Sequence, residues 1–216
     1  MAKSKTLTAV QKTNKNNRDR GKAFEKKIAE TLGWYRVPLS GSSSLFGWSD
    51  VRDSETIGEG IWMGECKTMK PNTLEPTYTI KLEWLDKLVS RAMVENKMPV
   101  LFITLYGDTA KFVSIPRKLA EVVSTHCQNI IPLFYDVPIK RSSKNQKNYT
   151  IKRSFLMEHK FRAVRREKLN SMMWAYRFED EEQSSWVLMH LDEFMRFHSD
   201  SRLGLVHSEY TKLYTQ

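Results

Sequence analysis

Apolar positions along the first half of the chain change spacing several times, and each change marks an element. Phe24, Ile28 and Leu32 recur every four residues, which predicts a helix over about 18–32 with one buried stripe, and Gly33 supplies its stop. WYRVPL, from Trp34 to Leu39, predicts a short strand that Pro38 confines to an edge or an end. The run from Ser40 to Asp50 has the Gly and Ser content of a loop, yet it carries Phe46 and Trp48.

Residues 50–67 predict a hairpin: Asp50 and Val51 on a short strand, a polar turn RDSETIGEG, and a second strand from Ile61 to Lys67. Strand alternation puts Ile61, Met63, Glu65 and Lys67 on one face and Trp62, Gly64 and Cys66 on the other. A Pro-bounded link leads to helical spacing over 80–95 through Trp84, Leu85, Leu88 and Ala92; Trp84 and Leu88 are expected in the core, with a dimer interface as the lesser alternative. PVLFITLY and KFVSI predict two further strands, and Pro116 opens a helix.

Past Ser124 the pattern thins. NIIPLFYDV predicts a strand, residues 154–170 a basic helix, and WAYRFED with SWVLMHL a second hairpin followed by a short helix at 192–198. The expected organisation is a basic disordered tail over 1–17, a core domain over 18–125, and a basic extension over 126–216. That extension is either accessory or completes the same domain as the core.

Composition narrows the function. A hydrophobic fraction of 40% over 216 residues suits a packed globule. No run of about 18 apolar residues suggests a membrane span, and the polar, basic start has no secretory apolar stretch, so a cytoplasmic setting and no membrane partner are expected. Cys66 and Cys127, the two cysteines, make no disulfide framework. Five histidines without a close ligand pair argue against zinc. The net charge of +10 attracts polyanions, and its distribution points to nucleic acid. Seven Lys/Arg and one acid lie between Lys3 and Lys22, and eleven Lys/Arg and two acids between Lys140 and Lys168.

The chemistry centres on Glu65-Cys66-Lys67. A carboxylate and an ammonium two residues apart on a strand point the same way, and Asp50 lies across the hairpin from them. Two carboxylates and the Cys66 backbone carbonyl form a hard oxygen set suited to Mg²⁺, with Mn²⁺ able to substitute. Glu25, beside the buried Phe24, leans toward the same cleft, where it is expected to reach the metal through water. Asp53 and Glu59 sit in the polar turn and read as solvated acids.

These pieces resemble the PD-(D/E)xK nuclease superfamily, and more narrowly the archaeal-type Holliday junction resolvases that also occur in viruses. The resemblance runs from about Arg18 to Leu119: GKAFEKKIAETL with Glu25, then Arg36 with Ser40-Gly41, then Asp50, then GECKTMK with Glu65 and Lys67, then PVLFITLY and KFVSIPRKL. It implies an α/β fold of the restriction-endonuclease type, a mixed β-sheet flanked by helices, here with an α+β C-terminal extension. It also implies Glu25, Asp50, Glu65 and Lys67 as catalytic residues, and a homodimer that resolves four-way DNA junctions by paired nicks. The expected DNA contacts are Arg18, Arg20, Lys22, Arg36, Ser40, Phe46, Trp48 and Lys81. A nuclease of the same fold acting on duplex or flap DNA, and a DNA-binding module that does not cut, are the alternatives. The departures are the long Ser40–Asp50 loop, the long turn before Glu65, Arg52 where an apolar strand residue is expected, and the C-terminal extension.

Overall fold

The computed structural model describes residues 9–38, 49–56, 59–71, 74–127, 131–136, 148–157, 172–179 and 185–213. The Ser40 to Trp48 stretch, with its expected DNA contacts Ser40, Phe46 and Trp48, lies outside the described residues, as do residues 1–8 and most of the expected basic helix at 154–170.

Helix α1 spans Ala9–Leu32, nine residues longer at its start than the apolar stripe predicts. The stripe begins only at Phe24, and the residues described before Arg20 are exposed, so nothing apolar announces the added turns. Gly33 ends the helix with φ 68°, a conformation that costs glycine little, and the Trp34 N–H closes back on the Ala29 carbonyl at 2.8 Å.

Ten strands follow. They are β1 (Tyr35–Arg36), β2 (Val51–Arg52), β3 (Trp62–Met69), β4 (Thr77–Lys81), β5 (Met98–Leu105), β6 (Lys111–Pro116), β7 (Ile131–Asp136), β8 (Asn148–Lys152), β9 (Met172–Glu179) and β10 (Ser185–His190). Helices α2 (Leu82–Val94), α3 (Arg117–His126), α4 (Leu191–Met195) and α5 (Leu203–Lys212) complete the described elements. Eight strands form one sheet in the order β1-β2-β3-β5-β6-β10-β9-β7, while β4 and β8 pair separately. Only β3 with β5 and β7 with β9 run parallel, so the sheet is mixed and mostly antiparallel. Both expected hairpins form, β2 with β3 and β9 with β10.

Alternation along the strands divides the core between two faces. Trp62, Phe102, Val113 and Val187 pack with Phe24, Ile28 and Trp34 on the face carrying α1, α3 and α5. Aromatic rings dominate there: Phe194 of α4 lies 5.0 Å from Trp62 and 6.0 Å from Trp34. Met63, Leu101, Ile103, Phe112 and Leu188 pack with Leu85 and Leu88 on the face carrying α2. The region past residue 126 therefore shares both cores, since β10 pairs with β6 and contributes Val187 to one face and Leu188 to the other.

Strand β4 stands where the sequence reading has only a link. Its TYTIK alternates with Tyr78 and Ile80 buried, a period-two pattern masked by the neighbouring prolines. Arg153, in a helical turn over 153–157, donates to both Asp108 carboxylate oxygens at 2.5 and 3.0 Å and ties the end of β8 to the β5–β6 turn.

Candidate active site

The site forms where β2 stops. Strand β2 is two residues long and pairs Val51 with Gly64 and Arg52 with Met63, so β3 runs on past it with one side unpaired by β2. Gly64 makes the close approach possible. A Cβ there would lie 2.6 Å from Val51 Cγ2 and 2.9 Å from the Phe102 ring. Asp50 sits at the mouth, held three ways. Its N–H donates to the Gly64 carbonyl at 2.8 Å, its carbonyl accepts from the Val37 N–H at 2.9 Å, and its Oδ2 accepts from the Cys66 N–H at 2.8 Å.

Glu65 and Lys67 follow on β3, on the α2 side, and their side chains are hydrogen-bonded to each other. Burial pushes the Glu65 carboxyl above its ordinary range, and the Asp50 charge pushes it further, while Lys67 pulls the other way. The Cys66 thiol is raised well above its usual value by burial and then by the charges of Asp50, Glu25 and Glu65. Glu25 stands at the margin of this group. Arg36 of β1 donates to its Oε2 at 2.7 Å. The structure thus joins Asp50, Glu65 and Lys67 in one group and holds Glu25 beside it through Arg36.

Helix α2 walls the cleft. A pocket of about 230 Å³ is lined by Glu65 and Lys67 from β3 and by Trp84, Lys87, Leu88 and Arg91 from α2. Spacings of three and four residues put 84, 87, 88 and 91 on one helix face, a signal present in the sequence but read only for its apolar members. Trp84 departs from expectation: it is half-buried and belongs to neither apolar cluster among the described residues. Leu88 is core, as expected.

Arg52 has a reason to be where an apolar residue is expected. It is buried, and its guanidinium donates to Ser49 Oγ at 2.8 Å and Glu95 Oε2 at 2.7 Å, so it pins the residue before Asp50 to the end of α2. Asp53 is not a solvated turn acid. Its carboxylate accepts the Ile61 and Trp62 N–H groups at 2.9 and 3.1 Å and closes the turn into β3.

The donor set fits a hard divalent ion. Asp50 meets β3 at its edge and Glu65 lies near enough to feel its charge; the N–H and C=O of one strand residue face the same side, so the Cys66 carbonyl looks toward Asp50. Among the described residues no three His, Cys, Asp or Glu side chains group as a metal cage. Two carboxylates plus a carbonyl leave the remaining positions to water, which is the habit of Mg²⁺. A cation between Asp50 and Glu65 would also relieve the repulsion that raises Glu65.

Of the other expected DNA contacts, Arg18 and Lys22 are exposed on α1, and Arg20 lies 3.7 Å over the Tyr106 ring. Lys81 lies 5.4 Å from the Trp84 ring centre. Among the described residues no helix is long and apolar enough to cross a membrane. No family model matches the chain, and neither a curated protein nor a solved structure matches it.

Proposed function

We infer that this chain is a metal-dependent DNA endonuclease that nicks branched DNA, four-way junctions first among its substrates, and acts as a homodimer. The observation that carries the reading is the meeting of Asp50, Glu65 and Lys67 about Cys66, where β2 ends and beside a pocket lined by charged side chains of both signs. A junction has near two-fold symmetry and needs two matched nicks, which a two-fold dimer supplies.

Each residue has a task in hydrolysis of a phosphodiester. Asp50, Glu65 and the Cys66 carbonyl would hold Mg²⁺. That ion would supply positive charge at the scissile phosphate and acidify water. Lys67 sits close enough to Glu65 to share one reaction volume, and its ammonium would orient the attacking water and stabilise negative charge as the phosphate becomes five-coordinate. Glu25, oriented by Arg36, would hold water at the margin of the site. Arg91 and Lys87 would draw the DNA backbone toward the pocket.

The test is cleavage of labelled four-way junction, flap and linear duplex side by side, in Mg²⁺ and in EDTA. Metal-dependent nicking with the junction preferred is expected. Preference for flap or duplex would retain the nuclease and reassign its substrate, and binding without any nicking would leave a DNA-binding module.

A further inference from the structure

Trp84 divides two pockets. One is the pocket at Glu65 and Lys67; the other, of about 420 Å³, is lined by Met69, Lys70, Thr77, Thr79 and Lys81. Trp84 lines both. Lys67 lies 5.7 Å from its ring centre and Lys81 5.4 Å, one from each pocket. Around this ring stand Lys67, Lys70, Lys81, Lys87 and Arg91 against the carboxylates of Glu65 and Glu83. The indole is partly exposed, stands outside either apolar cluster, and has an ammonium group near it from each pocket. It is suited to an apolar face carried on an anionic chain, which is the chemistry of an unpaired nucleotide.

We propose that Trp84 is a stacking platform for one unpaired nucleotide of a DNA strand, next to the phosphate that enters the Glu65–Lys67 pocket. The base lies on the indole within the larger pocket, and Lys70 and Lys81 face its phosphate. This rests on the nuclease reading for the identity of the strand. It adds a selection rule: the site accepts a strand whose nucleotide beside the reacting bond is free to leave its stack, as at a branch point, and disfavours continuous duplex.

The test is binding in EDTA, where no cutting occurs, with 2-aminopurine placed in turn at each position of a single-stranded oligonucleotide and of the matching hairpin duplex. In the full-length wild type and in Trp84→Phe, one position of the single strand should show quenched fluorescence on binding. Trp84→Ala should lose that quench and bind the single strand about tenfold more weakly, with duplex affinity unchanged, as loss of one base–aromatic stack predicts. Equal losses on both probes, or a quench that survives in Trp84→Ala, would overturn the platform. If Trp84→Ala fails to fold, the wild type still decides: no quenched position on a bound single strand also overturns it. Lys81→Gln should weaken the single strand more than the duplex, and the reverse order would count against the larger pocket. Failure here with intact Mg²⁺-dependent nicking leaves the nuclease standing, whereas a quenched base without nicking removes the nuclease and keeps the platform.

Discussion

Strands β3 and β5 lie side by side in parallel register over eight residues, Trp62–Met69 against Met98–Leu105, yet their environments differ. Every residue of β5 is buried, while β3 is buried only over Trp62, Met63 and Gly64. The cause is the neighbour on the other side. β5 has β3 along its length and β6 over Leu101–Thr104, whereas β3 has β5 on one side and the two-residue β2 on the other. Where β2 ends, β3 changes from buried to partly exposed. Glu65, Lys67 and Thr68 lie in the partly exposed half, and the buried half before them fixes their direction.

Substitutions on the two strands should therefore fail in different ways. Phe102→Ala in β5 should cost about 3–5 kcal/mol of stability, as truncating a buried aromatic does. Lys67→Met in β3 should leave the denaturation midpoint close to wild type and cut the nicking rate by roughly 10²–10³, the scale seen when one group that stabilises developing charge is removed. If urea melts showed the two variants equally destabilised, the distinction between the two strands would be lost.

Gly64→Ala tests the boundary between the halves. A methyl there meets Val51 and Phe102 below normal contact distance, so a loss of about 1–3 kcal/mol is expected from overpacking. Because Asp50 hangs on the Gly64 carbonyl, nicking should fall along with stability. A variant with native stability and native nicking would mean that the close approach does not position Asp50.

Arg52→Met sharpens the comparison, since it changes a buried residue that reaches the edge only through Ser49 and Glu95. Its nicking rate should drop about tenfold to a hundredfold, the range for losing a residue that orients a metal ligand. Apparent Mg²⁺ affinity, read from the metal dependence of nicking, should fall with it, which a purely structural arginine would not cause.

The smallest effect is electrostatic. Burial and the Asp50 charge raise the Glu65 pKa, so the folded chain keeps this proton at pH values where the unfolded chain has released it. The stability tied to Glu65 is thus complete below its ordinary carboxyl value and is lost as pH rises through the raised one. Without metal, Glu65→Gln should be slightly more stable than wild type at neutral pH, by less than about 1 kcal/mol, since the glutamine carries no charge for burial to penalise. The difference should vanish in acid. Thermal melts across pH in EDTA check this, and a Glu65→Gln protein less stable than wild type at neutral pH would reverse the sign of the argument.

Much of this edge was readable beforehand. Period-two alternation placed Glu65 and Lys67 together opposite Trp62, and fixed the hairpin that brings Asp50 to them. The limits were physical as well. The early turns of α1 carry no apolar stripe, and β4 hides between prolines. Arg52 looked misplaced because its partner Glu95 is distant in sequence, and a pair that far apart leaves no local pattern. Trp84 looked like core because a helix position with hydrophobic neighbours is usually buried. Its separation from both clusters is a tertiary fact.

The central claim is that the open half of β3 cuts DNA with a bound metal. Single-turnover nicking of a labelled four-way junction by wild type and Glu65→Gln, each in Mg²⁺ and in EDTA, tests it most directly. The account predicts nicks from wild type in Mg²⁺ alone, with Glu65→Gln binding the junction but leaving it intact. Equal nicking by Glu65→Gln, or nicking by wild type that persists in EDTA, would contradict it.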